Sequence, residues 1–516
     1  MRCRMKLNNL LDRLQGEPLL TEVISSGQAM DVEVNRVVFD SRSVSPGDIF
    51  TCVPGGRTDG HGFARDAVDR GAVALCVARP LAEVQVPQLV SRDPRAFMGR
   101  LAATLYGWPA RDLKMIGITG TNGKTTSTYM MGSILEAQGT RTGLLGTVFY
   151  CDGVTFEHAD RTTPEGADVQ WFLKRMRDNS CQACVMEASS HGLKQGRIEG
   201  CEFDGGLFTN LTPEHLDFHL TEDAYFDAKR LLFNRYMKEG WVGASNASDP
   251  RGAALLMEHP DRMHGYRVIG SNESPVEGCW CGRIRSYDLE GMTLEVYDPR
   301  GRLAFREVSL PLIGTYNGEN AMGVIALSMG MGIGGDAVVR GLASMPQVPG
   351  RLETYRFPNR VVGVIDYAHT PDGLEKVLGA LRGVTVGKLW VVFGHGGERT
   401  GSHRPKLGAV AASLADRAVV TMDNPRSEDP ASIAAQIVSG ISHARAREGF
   451  QHWVILDRGE AIRYALDNAE IGDVVAITGK GPERFILFSD RRVPFEDSAE
   501  LRRWAEERFP GWEPRR

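Results

Sequence analysis

Apolar residues in the carboxyl-terminal third of the chain come in short continuous runs. "VVGVID", "KLWVVFG", "RAVVTMD" and "DVVAITG" have the pattern of strands buried on both faces of a parallel sheet. Between them lie "PDGLEKVLGALRG" and "PASIAAQIVSGI", whose apolar residues recur at helical spacing. This rhythm predicts a doubly wound α/β unit. Each strand run ends in polar or glycine-rich residues: Asp366 to His369, Gly394 to Arg399, Asp423 to Arg426, and Gly479 to Glu483. Ligands of open α/β sheets sit beyond the carboxyl ends of the strands, so these four ends are expected to share one site.

Earlier parts of the chain mix their periods. Residues 1 to about 110 combine strand-like "NRVVFDS", "DIFTCVPG" and "VALCVA" with a helical "FARDAVDRGA". A middle block opens at "LKMIGITGT" and turns β-rich in "GMTLEVYD" and "FREVSLPLIG". At 516 residues the chain exceeds one ordinary core. The expected organisation is α/β throughout in three domains, residues 1–110, 111–346 and 347–516.

Composition narrows the class without choosing a function. The chain is 42% hydrophobic and 24% charged, and its formal net charge of −5 gives no reason to expect nucleic acid as a partner. No apolar run approaches the ~20 residues of a membrane span. The start, "MRCRMKLNNLLDRLQGE", is basic but interrupted by polar residues and reads poorly as a signal peptide, so a cytoplasmic location is the expectation. Nine cysteines include a C-x-x-C at Cys181 and Cys184 and a C-x-C at Cys279 and Cys281. No second pair stands at zinc-ribbon distance, and reduced structural thiols are expected.

The sharpest chemical signal is "KMIGITGTNGKTTST", residues 114–128. A strand, a glycine-rich turn and a helix start in this order can wrap backbone N–H groups around phosphate oxygens. Lys124 would reach the β- and γ-phosphates, and the Thr125 hydroxyl would ligate Mg²⁺. The stretch departs from the strict G-x-x-x-x-G-K-[ST] pattern, with Ile118 where the first glycine belongs. Downstream, "CVMEASSHG" carries Glu187, Ser189, Ser190 and His191, and "LFTNLTPEHLDFH" carries Asn210, Glu214, His215, Asp217 and His219. A carboxylate after an apolar strand, in the same block as a phosphate loop, suits Mg²⁺ or its water. His215 and His219 stand at i and i+4, and Glu187 could join one of them at a second divalent ion, or they could be surface histidines; spacing leaves both open. In the amphipathic "EDAYFDAKRLLF", Lys229 sits near the apolar side, where spacing alone predicts a snorkelling lysine.

Together these residues resemble the Mur ligases, the ATP-dependent amide ligases of peptidoglycan precursor synthesis. "GITGTNGKTTS", "RTTPE", "MEASSHGL", "FTNLTPEHLDFH", "YFDAKRLLF", "GTYNGENA", "PGRLE" and "DYAHTPDGLE" occur in the family's order. "FDSRSVSPGDIFTCVPGGRTDGHGF" is similar to the family's uridine-nucleotide domain. Within the family the resemblance is to members that add the third amino acid. It implies an amino-terminal UDP-sugar domain, a central phosphate-loop ATPase-like domain and a carboxyl-terminal Rossmann-like domain. The implied reaction activates the D-glutamate carboxylate of UDP-N-acetylmuramoyl-L-alanyl-D-glutamate as an acyl phosphate, which the incoming amine then displaces.

The resemblance also implies roles for particular residues. Lys124, Glu187, His215 and Lys229 would be catalytic. Lys229 would be carbamylated by CO₂ and, with Thr125, Glu187 and His215, would hold Mg²⁺. ATP would meet Gly117, Thr119, Gly120, Thr121, Asn122, Gly123, Lys124, Thr125, Thr126, Asn317, Asn320, Arg351 and Asp366. The UDP-linked substrate would meet Phe39, Ser41, Gly56, Arg57, Thr58, Thr162, Thr163, Ser189, Gln195 and Arg197. For meso-diaminopimelate the matching positions are Arg399, Asp423, Asn424, Pro425, Arg426, Gly479 and Glu483. Arg426, in "DNPR", can bind a carboxylate through two parallel bonds. The expected partners are these small molecules, with no nucleic acid, no membrane span and a monomeric chain. Two departures stand out: "GKGPE" places Pro482 where the family has histidine, and "GGERT" lacks the aspartates that usually flank the arginine. L-lysine and L-ornithine stay open as third amino acids, and a plain phosphate-loop kinase or NTPase is a distant rival.

Overall fold

The computed structural model of the chain describes residues 5–25, 30–55 and 58–514. Most of its backbone is organised by three sheets. The amino-terminal sheet has five strands in the order Leu20–Ile24, Gln88–Ser91, Ala74–Val77, Ile49–Thr51 and Val37–Val38, parallel except at its first pair.

The middle sheet has 11 strands. Its parallel part runs Thr142–Leu145, Ala183–Glu187, Lys114–Thr119, Phe203–Phe208, Met237–Asn246, Met263–Ile269 and Cys279–Asp288, with antiparallel pairs continuing it at both ends. Helices Lys124–Ala137 and Tyr316–Gly330 cover one face, and Gly166–Asp178 and Glu222–Arg235 cover the other. In strand Lys114–Thr119 every residue but the first is buried, which explains its unbroken apolar run. Gly117 on this strand is a packing requirement, because a Cβ there would lie 2.9 Å from Leu232 Cδ1. Helix Glu222–Arg235 therefore lies close on the strand and carries Lys229, one turn before Leu232, up to the phosphate loop.

The carboxyl-terminal sheet runs Glu353–Arg356, Val362–Asp366, Val474–Thr478, Leu389–Phe393, Arg417–Val420 and Gln451–Val454, parallel after its first pair. The four apolar runs are its four central strands, and the four polar ends lie along one edge. The outer strand Gln451–Val454 is mostly exposed and so carries no such run. Helices Pro94–Tyr106, Pro250–Glu258 and Pro430–His443 each begin with proline after an aspartate whose carboxylate accepts first-turn N–H groups.

The middle and carboxyl-terminal units share packing. Ile313 joins the carboxyl-terminal core, and Tyr287 OH donates to Ala380 O (3.1 Å) and accepts from Gly314 N (2.9 Å). The eight cysteines among the described residues are free thiols. No helix of the described residues is long and apolar enough to cross a membrane.

Candidate active site

The phosphate loop is held in a conformation that only glycine tolerates at two points. Gly120 (φ 144°) and Gly123 (φ 87°) sit at positive φ. A Cβ on Gly120 would fall 1.9 Å from Thr209 Oγ1, and one on Gly123 would fall 2.1 Å from Asn320 Oδ1. The helix begins at Lys124, with Gly123 as its cap. Lys124 Nζ donates to Gly120 O (3.0 Å) and Thr121 O (2.7 Å), and burial lowers its pKa.

Glu187 is buried beside this helix start. Its carboxylate accepts from Thr125 Oγ1 (3.0 Å), Thr147 N (2.8 Å) and Thr147 Oγ1 (2.9 Å). Thr147 was not among the expected residues. It lies 40 positions from Glu187, in a loop with no motif of its own, so no sequence signal marks it. The hydroxyl of Thr125 against a carboxylate is a hard-oxygen pair of the kind Mg²⁺ prefers.

Lys229 is 1% exposed, which corrects the snorkelling expectation. Its Nζ donates to Gly120 O (2.6 Å) and stands 4.2 Å from the centroid of the Tyr225 ring. Burial, then the nearby Lys124 charge, push its pKa well below the usual lysine value. Both causes shift the amine toward its neutral, nucleophilic form. Tyr225, also outside the expected set, is four residues earlier on the same helix, a spacing that puts both on one face.

His215 and His219 both pack against the rings of His191 and Tyr225, although His215 lies just outside the helix. His215 has left-handed backbone (φ 56°) and precedes the short helix Leu216–His219. His219 Nε2 is engaged by Ser190 Oγ (3.0 Å), so only His215 lines the cleft. The His215 ring packs edge-on to His191 at 4.8 Å, and burial lowers both pKa values, that of His191 to about 4. No hydrogen bond or ion pair joins Glu187 to His215 or Lys229, and no group of three His, Cys, Asp or Glu is placed to hold a metal ion among the described residues. The carboxylate beside His215 is that of Glu214, whose Oε1 stands 3.8 Å from His215 Nε2.

A cleft of about 370 Å³ opens between these groups, lined by Lys124, Thr162, Ser189, Arg197, His215 and Lys229, and also by Arg161, Ser190, His191 and Tyr225. Its far wall is a hydrogen-bonded lattice. Thr163 Oγ1 donates to Glu187 O (2.7 Å) and meets Ser189 Oγ (2.9 Å), Arg197 donates to Thr163 O (3.0 Å), and Gln195 accepts from Arg197 (2.7 Å). Three arginines, Arg95, Arg161 and Arg197, converge on the buried Glu165, and Arg161 and Arg197 also line the cleft.

The remaining expected residues fall into three groups. Asn317 and Asn320, bonded to each other (2.9 Å), back the loop through Gly123. Arg351 stacks 4.9 Å from the Tyr367 ring, and Asp366, whose pKa burial raises, accepts from Leu352 N and Ala368 N at 2.8 Å each. Phe39, Ser41 and Thr58 lie in the amino-terminal unit with no hydrogen bond to the cleft among the described residues; Gly56 and Arg57 lie outside the described residues.

The carboxyl-terminal strand ends do converge. A Cβ on Gly479 would lie 2.7 Å from Asp423 Oδ2, Asn424 Nδ2 donates to Glu483 Oε2 (2.8 Å), and Arg426 Nη1 donates to Gly397 O (2.6 Å). Pro425 O would lie 1.9 Å from a Cβ on Gly397, and a Cβ on Gly396 would sit 3.4 Å from Arg399 Cγ and 3.0 Å from Arg426 Nη1. Pro482 packs its ring on Gly350 (φ +65°), where a Cβ would meet Pro482 Cδ at 2.4 Å. Lys480, inside "GKGPE" but not singled out from sequence, is fully buried under this site.

A phosphate loop, a cationic cleft and a second ligand-shaped edge on a Rossmann-like unit define a three-domain nucleotide-dependent enzyme. The comparisons narrow that class. Three family models match the chain: Mur ligase family, catalytic domain, at residues 33–106; Mur ligase middle domain at 118–328; and Mur ligase, glutamate ligase domain, at 350–481. Among similar proteins are two named UDP-N-acetylmuramoyl-L-alanyl-D-glutamate–2,6-diaminopimelate ligase. That of Alkaliphilus metalliredigens is 37% identical over 98% of both chains. That of Synechococcus elongatus is 39% identical over 96% of this chain and 98% of its own. A solved structure of an enzyme of that name aligns over 98% of this chain and 99% of its own at 28% identity, TM-score 0.65. The fold is also that of folylpolyglutamate synthase from Thermotoga maritima, at 17% identity and TM-score 0.56 over 74% of this chain and 90% of that one. The chain belongs to the Mur ligase family, and it is a ligase with that family's three-domain fold.

Proposed function

We propose that the protein joins meso-diaminopimelate to UDP-N-acetylmuramoyl-L-alanyl-D-glutamate at the expense of ATP, in the cytoplasmic assembly of peptidoglycan precursors. The observation that carries this reading is the cleft in which the phosphate-loop Lys124 faces Thr162, Ser189 and Arg197. The relatives' names support the choice of substrate and amino acid. We assign residues 1–110 to the UDP-linked substrate, 111–346 to ATP and 347–516 to the amino acid.

The chemistry asks two anions to meet, a substrate carboxylate and a γ-phosphate. Lys124 now gives its protons to two main-chain carbonyls; on ATP binding it exchanges them for phosphate oxygens. Arg197 and Arg161 hold the carboxylate partner on the opposite wall. These fixed cations offset the repulsion of approach and the charge that develops on the transferring phosphoryl group. The carboxylate oxygen takes the phosphoryl group and ADP leaves. The amine then attacks the acyl carbon, loses a proton and expels phosphate. Bringing three substrates together supplies much of the remaining rate, which suits a site shared among three domains.

Thr125 and Glu187 would hold one Mg²⁺, and His215 with the carbamate of Lys229 a second; bound there, the ions would neutralise phosphate charge. The buried Lys229 amine, its pKa lowered by burial, fits carbamylation. Its nitrogen forms a bond to the carbon of CO₂ and releases a proton, giving a carbamate anion in place of the amine.

For the amino acid, Arg426 would bind the distal carboxylate of diaminopimelate and Glu483 its distal ammonium. L-lysine and L-ornithine offer no distal carboxylate, which would leave a half-buried guanidinium without its anionic partner. Turnover with the UDP-muramoyl dipeptide and ATP should therefore be at least about 100-fold more efficient with meso-diaminopimelate than with L-lysine or L-ornithine. Equal use of L-lysine would overturn the assignment.

A further inference from the structure

Glu483 lies on the four-strand edge with a side chain about one-third exposed (36%), yet one of its oxygens is already committed. Oε2 accepts from Asn424 Nδ2 (2.8 Å) and from Lys480 Nζ (3.1 Å). Lys480 is 0% exposed and spends its other donors on Asn424 Oδ1 (3.1 Å) and Phe485 O (2.6 Å). Asn424 Oδ1 also accepts from Leu487 N (3.0 Å), so the amide cannot flip without breaking all three of its bonds. A buried lysine, an amide and two main-chain groups thus form a closed frame behind a single carboxylate oxygen. Oε1 makes no hydrogen bond within this frame.

We infer that Lys480 is a positioning residue for amino-acid specificity: it fixes the Glu483 carboxylate from behind so that Oε1 alone faces the distal ammonium of the incoming diamino acid. The inference rests on the proposed reading of Glu483 as a ligand of that ammonium. A free carboxylate on a surface loop rotates and can accept bidentately from water or from any cation. One pinned by a buried cation and an amide presents one acceptor in one direction, so the ammonium it reads must come from a head group whose carboxylate is already on Arg426. The frame discriminates by position. A ligand with the distal carboxylate but no distal ammonium does not use it.

The test compares meso-diaminopimelate with 2-aminopimelate, which keeps the distal carboxylate and lacks the distal amine. Full-length wild type, Lys480→Met, Glu483→Gln and the double variant are assayed with ATP and the UDP-muramoyl dipeptide. We expect wild type to prefer meso-diaminopimelate at least about 30-fold in kcat/KM. Lys480→Met should collapse that preference to within about threefold, by raising KM for meso-diaminopimelate while KM for ATP and the dipeptide stays within about twofold. In the Glu483→Gln background the same change should add little. Where Lys480→Met lowers the melting temperature, Lys480→Gln, which keeps a donor without the charge, gives the same comparison. Equal losses on both amino acids would mark Lys480 as merely structural and overturn the inference. An unchanged preference in Glu483→Gln would instead overturn the underlying assignment of Glu483.

Discussion

The two ligand-facing regions of the molecule handle charge in opposite ways. In the central cleft, Lys124 and Lys229 give their protons to the carbonyls of Gly120 and Thr121, and neither has an ion-pair partner among the described residues. At the carboxyl-terminal edge Arg426 is likewise held by a carbonyl, that of Gly397, but the other cations are matched by anions inside the protein. Lys480 meets Glu483, Arg404 meets Glu428, and Arg458 meets Asp497 with both partners fully buried. Carbonyls are weak substitutes for phosphates, so the first region is built to be completed by anionic ligands. The second is built before its ligand arrives, as suits recognition of a zwitterion whose net charge is zero.

The comparison breaks most sharply at Lys229. Lys229→Ala should lower kcat by a factor of about 10³ or more, the scale of losing a preorganised electrostatic group. A short carboxylic acid should restore part of the rate by replacing the carbamate oxygens. Stability should be unchanged or higher, because a buried amine with no ion-pair partner is removed. Unaltered turnover would refute the carbamate assignment.

Arg426→Ala probes the other region and should cost less. Loss of a charged hydrogen bond of about 1.5–3 kcal/mol corresponds to roughly 10–150-fold in kcat/KM for meso-diaminopimelate. Equal efficiency of variant and parent would remove Arg426 from the site.

The smallest expected effect concerns the matched network around Arg404. His395 is buried beside it, and burial followed by the Arg404 charge lowers its pKa to about 4. Between pH 6.5 and about 4 the unfolded chain binds a proton there that the native state does not, so native stability falls as pH falls through that window. Urea unfolding across that range should show a shallower acid loss in His395→Gln than in the parent. Identical slopes would take His395 out of the account.

What could be read from residues alone follows the same divide. The phosphate loop was legible because its glycines are sterically compelled and its strand and helix flank it directly. The four strand ends were legible because parallel topology brings carboxyl ends together whatever the intervening helices contain. Lys229 was not: helical spacing puts it near an apolar face, and only the tertiary approach permitted by Gly117 buries it beneath Gly120. Thr147 on Glu187 and Lys480 behind Glu483 are likewise products of packing. Spacing could not choose between His215 and His219 because packing decides their surroundings: Ser190 engages His219, and His215 lines the cleft.

The account's central claim is that nucleotide energy is spent on one amide bond. The direct measurement is ADP release with each substrate withheld in turn, alongside the mass of the nucleotide-sugar product. The account predicts sustained ADP release only when ATP, the UDP-muramoyl dipeptide and meso-diaminopimelate are all present, with one ADP formed for each dipeptide converted to tripeptide. Sustained ADP release with neither co-substrate present, or a phosphorylated product carrying no added amino acid, would contradict it.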